Sequence, residues 1–204
     1  MLSGQQLAAK KGRVTLFQNM DFELPAGQWL FLSGGNGSGK TTLLRILCGL
    51  GLPDHGQVLW RQTPTQIDCS VLHREMMYVG HALGLKEELS AMENLRFHAQ
   101  MTEHVFDAAQ TREVLATLGL KGREHLSLRV LSQGQKRRVA LAKLLLYPVP
   151  LWILDEPFVA LDAQGLKVLV KAMQAHLQQS GLLVYTSHQR VEIDAPGMEM
   201  SLNS

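Results

Sequence analysis

Gly34-Gly35-Asn36-Gly37-Ser38-Gly39-Lys40-Thr41-Thr42 follows the apolar run Trp29-Leu30-Phe31-Leu32-Ser33 and precedes Leu43-Leu44-Arg45-Ile46-Leu47. The loop fills every fixed position of the phosphate-binding pattern G-x-x-x-x-G-K-[ST], with a strand-like segment before it and a helix-like segment after it. Glycines let successive backbone N–H groups converge on phosphate oxygens, and the positive end of the next helix adds to them. On this reading Lys40 reaches the β- and γ-phosphates of a nucleoside triphosphate, and the Thr41 hydroxyl ligates Mg²⁺. A flexible glycine turn with a chance lysine is the competing reading, and the flanking strand and helix weigh against it.

Outward from the loop, Val14–Leu24 reads as a strand joined to Trp29–Ser33 by the Pro25-Ala26-Gly27 turn. Thr41–Gly49 reads as a helix stopped by Gly49 and Gly51, and Gln57–Arg61 as a further strand. From about residue 85 to 146 the chain is helical in character, with Ala91–Met101, Val105–Leu118 and Gln133–Leu146 rich in helix formers. Leu151–Leu154 and Leu182–Thr186 are short apolar strands on either side of a helix over Ala163–Gln179. This order predicts an α/β fold over residues 1–204 as one domain, with a helical subdomain inserted at about 85–146 and a small antiparallel portion.

The strand Leu151-Trp152-Ile153-Leu154 ends in Asp155-Glu156. Ligands of open parallel sheets sit at the carboxyl ends of the strands, so both acids are expected beside the glycine loop. Asp155 is expected to act on Mg²⁺ through its water shell, and Glu156 to polarise the attacking water as general base. A helix cap or a solvated loop acid is the plain alternative; the upstream phosphate loop favours the catalytic one. His188 ends the next apolar strand in the same manner and is expected within reach of the γ-phosphate, holding water and Glu156 in place.

Leu131-Ser132-Gln133-Gly134-Gln135 opens the helix before the acidic strand. It resembles the LSGGQ signature of the ABC ATPases, with Gln133 replacing the first glycine. Ala160-Leu161-Asp162 resembles that family's D-loop and His188 its switch histidine, in family order from about Leu16 to His188. The resemblance implies ATP as substrate. It also implies that Ser132, Gly134 and Gln135 cap the γ-phosphate held by a second copy of the chain, in a head-to-tail dimer with two shared sites. Physically, a hydroxyl and free N–H groups at a helix start suit an anion. A simple helix N-cap would explain Ser132 but not the Gly134-Gln135 pair.

Two positions depart from the family pattern. His81, in Tyr78-Val79-Gly80-His81, stands where the family has a glutamine near the metal. An imidazole is a poorer partner for Mg²⁺ than an amide oxygen, so His81 is expected either to meet the metal through water or to link to a membrane partner. Upstream, Gln5–Val14 has no aromatic to stack on adenine, which leaves Lys11 or Arg13 over the base and predicts loose base selectivity. Val79-Gly80-His81, the segment Ala91-Met92-Glu93-Asn94-Leu95 and Leu151-Trp152-Ile153-Leu154-Asp155-Glu156-Pro157-Phe158 are similar to the ATP-binding subunits of bacterial cytochrome c maturation complexes. That likeness implies integral membrane subunits as partners, placement at the cytoplasmic face of the inner membrane, and hydrolysis coupled to release of a haem-loaded chaperone. It implies no haem contact in this subunit. A transporter ATPase for another substrate, a soluble ABC ATPase acting on nucleic acid or ribosomes, and a binding regulator without turnover are the rivals.

Composition agrees. The net charge is +2 and the basic residues are scattered except at Lys136–Arg138, without the concentrated basic stripe of a nucleic-acid surface. No run approaches the roughly 20 apolar residues of a membrane span, and Met1–Arg13 lacks the apolar core of a secretory signal. Cys48 and Cys69 fit no metal or redox spacing and read as reduced thiols. Leu83, Leu85 and Leu89 are expected in the subdomain core rather than in a partner groove.

Overall fold

The computed structural model of the chain describes residues 1–202. In order, the elements are β1 (Leu2–Lys11), β2 (Val14–Leu24), β3 (Trp29–Ser33), α1 (Lys40–Leu47), β4 (His55–Trp60), β5 (Thr63–Pro64), α2 (Ser70–Glu75) and β6 (Met76–Val79). Then come α3 (Ala91–Met101), α4 (Ala108–Thr117), α5 (Gln133–Leu146), β7 (Leu151–Leu154), α6 (Ala163–Gln178), β8 (Leu182–Thr186) and β9 (Gly197–Ser201). Two sheets result: an antiparallel one in the order β2-β1-β4-β5, and a parallel one in the order β6-β7-β8-β3-β9.

The parallel sheet is buried on both faces, which is why β7 and β8 are wholly apolar or inward-facing. Side chains alternate across a strand, and each strand therefore feeds two cores. Trp152, Leu154, Leu183, Tyr185 and Phe31 pack with Leu95, Leu144 and Met173 from α3, α5 and α6. Leu151, Ile153, Val184, Leu30 and Leu32 pack with Leu43, Leu44 and Leu47 of α1 and with Leu7, Phe22 and Val58 of the antiparallel sheet. The parallel sheet thus stands between a layer of α3, α5 and α6 and a second layer formed by α1 with the antiparallel sheet. The carboxyl ends of β3, β7 and β8 emerge side by side, since these strands are paired in register as Leu32 with Thr186 and Leu154 with Tyr185.

Several boundaries differ from expectation for local reasons. The helix expected from Val105 begins at Ala108, because the Asp107 carboxylate caps it by accepting from the N–H groups of Ala109 and Gln110 at 2.7 and 2.9 Å. Val105 lies outside it, 90% exposed. The strand expected over Gln57–Arg61 stops at Trp60, because Arg61 and Gln62 take φ of 50° and 69° in the tight turn to β5. Strands β1, β5 and β9 and the short helix α2 have no counterpart among the elements expected from the sequence. Leu83 and Leu85 pack against the helical-side core, as expected.

Candidate active site

The phosphate loop lies between β3 and α1. Its backbone turns at Gly34, Gly37 and Gly39, with φ of 145°, 85° and 100°. Two of these positions also forbid a side chain by contact. A Cβ at Gly34 would lie 2.6 Å from the Leu202 carbonyl oxygen, and one at Gly39 would lie 2.9 Å from Leu16 Cβ. Gly39 also serves as N-cap of α1, so the free N–H groups of that helix open onto the loop. The Lys40 ammonium folds back over the loop, donating to the carbonyls of Gly34 at 2.7 Å and Gly35 at 3.0 Å. Ser38 is buried, and its hydroxyl has no hydrogen-bond partner among the described residues.

Beside the loop, the ends of β7 and β8 carry a connected set of side chains. The Thr41 hydroxyl donates to Asp155 Oδ2 at 3.0 Å, and the Thr186 hydroxyl donates to Asp155 Oδ1 at 2.8 Å. Thr186 Oγ1 in turn accepts from the Glu156 N–H at 2.9 Å. The Glu156 carboxylate accepts from the His188 N–H at 3.2 Å and stands 3.4 Å from His188 Nε2. Its Oε1 is buried and has no hydrogen-bond partner among the described residues. Glu156 has φ of 50°, a left-handed conformation that costs a non-glycine residue about 1–3 kcal/mol and is kept only where the surroundings hold it. Burial, and next the Asp155 charge, push the Cys48 thiol behind this site up to about 12 and the Tyr78 hydroxyl likewise to about 12. Both therefore stay neutral, and Cys48 is a free, buried thiol.

A cleft of about 280 Å³ unites these groups; Lys11, Leu16, Asn36, Gly37, Gly39, Lys40, Thr41, Thr42, Asp155, Glu156 and His188 line it. Lys11 is thus present and Arg13 is not. A larger groove of about 750 Å³ runs past Trp152 and His176, at the start of β7, and contains none of the phosphate-loop residues.

Ser132, Gly134, Gln135 and His81 do not line the cleft. His81 is exposed just beyond the end of β6, whose Val79 carbonyl accepts from the Asp155 N–H at 2.8 Å. Ser132 is the N-cap of α5 in a reciprocal capping box: its Oγ accepts from the Gln135 N–H at 3.3 Å, and Gln135 Oε1 accepts from the Ser132 N–H at 2.9 Å. Gly134 lies where a Cβ would come within 2.6 Å of the Ala160 carbonyl oxygen. A local structural role thus accounts for Gly134 and Gln135 as well as Ser132, more than a simple cap suggested. Two further side chains of the site were not singled out in sequence. Thr186 is one. Arg137 is the other, reaching from α5 to the backbone at Asp155 and Glu156.

The chain is similar to known proteins over nearly its whole length. Residues 17–159 match the family described as ABC transporter. The chain is 46% identical to the cytochrome c biogenesis ATP-binding export protein CcmA of Albidiferax ferrireducens over 194 residues, covering 95% of this chain and 92% of that protein. It is 44% identical to the protein of the same name from Vibrio cholerae, over 96% of this chain and 95% of the other. Among solved structures, a dimeric bacterial ABC transporter cassette superposes with a TM-score of 0.81 at 22% identity, over 93% of this chain and 88% of that one.

Proposed function

The chain belongs to the ABC transporter family, and from that premise we propose that it is the ATP-hydrolysing subunit of a cytochrome c biogenesis export complex. The observation that carries the reading is the unbroken run of contacts from Thr41 through Asp155 and Thr186 to Glu156 and His188, set beside the glycine loop. It joins phosphate binding to a carboxylate suited to activating water.

Thr41 Oγ1 and Asp155 Oδ2 are hard oxygens within 3.0 Å of each other, the donor type that Mg²⁺ takes, so the residues present fit that ion. Bound there, Mg²⁺ supplies neutralisation of charge on the β- and γ-phosphate oxygens. The N–H groups from Gly35 to Thr42 bind the phosphates, and Lys40 turns from the carbonyls of its own loop towards the γ-phosphate. Glu156 accepts a proton from the attacking water as the water oxygen bonds to the γ-phosphorus and the bond to the ADP oxygen breaks. His188 keeps the Glu156 carboxylate and that water in line.

Ser132, Gly134 and Gln135 have no place in this cleft. The reading assigns them to the cleft of a second copy, arranged head to tail, so that each ATP is enclosed by two chains. The dimeric cassette that shares this fold supports the pairing. No helix among the described residues is long and apolar enough to cross a membrane. The reading therefore attaches the chain to the cytoplasmic face of the inner membrane through integral membrane subunits, with His81 on the side of that contact.

Co-purification with membrane subunits, followed by ATPase assay with and without a candidate haem chaperone, tests the proposal. Turnover that rises with the chaperone is expected. A complex that assembles but hydrolyses no ATP would count against it.

A further inference from the structure

Arg137 lies in α5 and is buried, 6% exposed, yet it makes no ion pair with a carboxylate among the described residues. Its guanidinium is spent on backbone carbonyls. One nitrogen, Nη2, donates to the Asp155 carbonyl at 2.7 Å and also to the Glu156 carbonyl; the other, Nη1, approaches the Gly80 carbonyl at 3.4 Å. These carbonyls mark the ends of β7 and β6, so one side chain spans the rim of the parallel sheet beside the cleft. Burying a guanidinium among neutral carbonyls is a poor route to stability, because desolvation takes back much of what the hydrogen bonds give. The arrangement is better explained by what it holds.

It holds Glu156. That residue carries the left-handed φ of 50°, and its two peptide groups are pinned from opposite sides. Its N–H is taken by the buried Thr186 hydroxyl from β8, and its C=O by Arg137 from α5. With both held, the side chain is turned to His188. Resting on the hydrolysis reading above, we propose that Arg137 is a positioning residue: through the carbonyls of Asp155 and Glu156 it fixes the backbone conformation that aims the Glu156 carboxylate. The same contact ties Glu156 to the helix capped by Ser132, so any displacement of that helix moves the carboxylate too.

Lysine keeps the charge but not the planar fork that serves several carbonyls at once. Arg137→Lys therefore separates charge from geometry. The full chain is assayed as it purifies, with any membrane subunits that accompany it, for ATP turnover, ATP affinity and unfolding midpoint. Arg137→Lys is expected to lower kcat about 10- to 100-fold, as misplacement of a reacting group does, with KM within about twofold of the wild type and a near-normal midpoint. In a Glu156→Gln background it is expected to cause no further loss in single-turnover hydrolysis, because it acts only through Glu156.

Wild-type kcat in Arg137→Lys would overturn the proposal, and so would a further large loss in the Glu156→Gln background. Loss of ATP binding in both Arg137→Lys and Arg137→Gln would make the residue purely structural and overturn it equally. Failure of the wild type to hydrolyse ATP would instead strike at the underlying reading, so the two failures are distinguishable.

Discussion

Thr186→Val removes one hydroxyl and little else, because valine has nearly the same shape. The hydroxyl is fully buried, donates to Asp155 Oδ1 at 2.8 Å and accepts from the Glu156 N–H at 2.9 Å. A hydrogen bond to a carboxylate contributes about 1.5–3 kcal/mol, and a buried N–H left without a partner costs about 1–3 kcal/mol. Together they amount to about 3–5 kcal/mol, allowing for partial relaxation. For a chain of this length each kcal/mol moves the thermal midpoint by roughly 2–4 °C, so a fall of roughly 10 °C is expected. ATP turnover should fall with it, because the same hydroxyl orients both acids. Thermal unfolding followed by circular dichroism, with Thr186→Ser as the control that keeps the hydroxyl, reads this out. A Thr186→Val chain that melts and hydrolyses like the wild type would refute the assignment of Thr186 as the bridge between Asp155 and Glu156.

Gly134→Ala should destabilise the chain by about 1–3 kcal/mol through overpacking, seen as a lower urea midpoint, since its Cβ would fall 2.6 Å from the Ala160 carbonyl oxygen; an unchanged midpoint would deny that close approach. His98 gives a pH test. Burial first, then the charges of Lys143 and His104, lower its pKa from 6.5 to about 4. Between these values the unfolded chain takes up a proton that the native chain refuses, so this site loses stability as pH falls from 6.5 to about 4. After discounting for partial exposure the loss is about 1–2 kcal/mol, and unfolding measured across that range should show a shallower decline in His98→Gln than in the wild type. His176, also lowered chiefly by burial, is retained in both chains, so equal slopes would contradict the reading of His98.

The sequence made the centre of the molecule legible and left its edges obscure. Strands β3, β7 and β8 lie inside the parallel sheet, and burial on both faces writes an apolar run that turn residues bracket. Strand β1 is disguised by Gln5-Gln6 and Lys10-Lys11, where the register shifts and Gln6 takes φ of 49°; the alternation that marks a strand is broken there. Strand β9 lies at the sheet edge with no fully buried residue, so its pairing with β3 comes from tertiary neighbours rather than from its own pattern. The same division holds at the site. Lys40, Thr41, Asp155, Glu156 and His188 were readable because each stands at a loop or strand end whose chemistry depends on local order. Thr186 and Arg137 were not, because a threonine in a strand and an arginine in a helix are ordinary. Their roles arise only when β7, β8 and α5 meet. His81 is legible only through its place in a motif; it stands exposed just after β6 and does not line the cleft.

Glu156→Gln tests the central claim most directly. The amide keeps the size of the side chain but cannot accept the proton of the attacking water. Steady-state ATP hydrolysis and equilibrium ATP binding are measured on the same preparation of the wild type and the variant. The account predicts that the variant binds ATP as the wild type does and nearly ceases to hydrolyse it. Near-normal hydrolysis by Glu156→Gln would contradict the account.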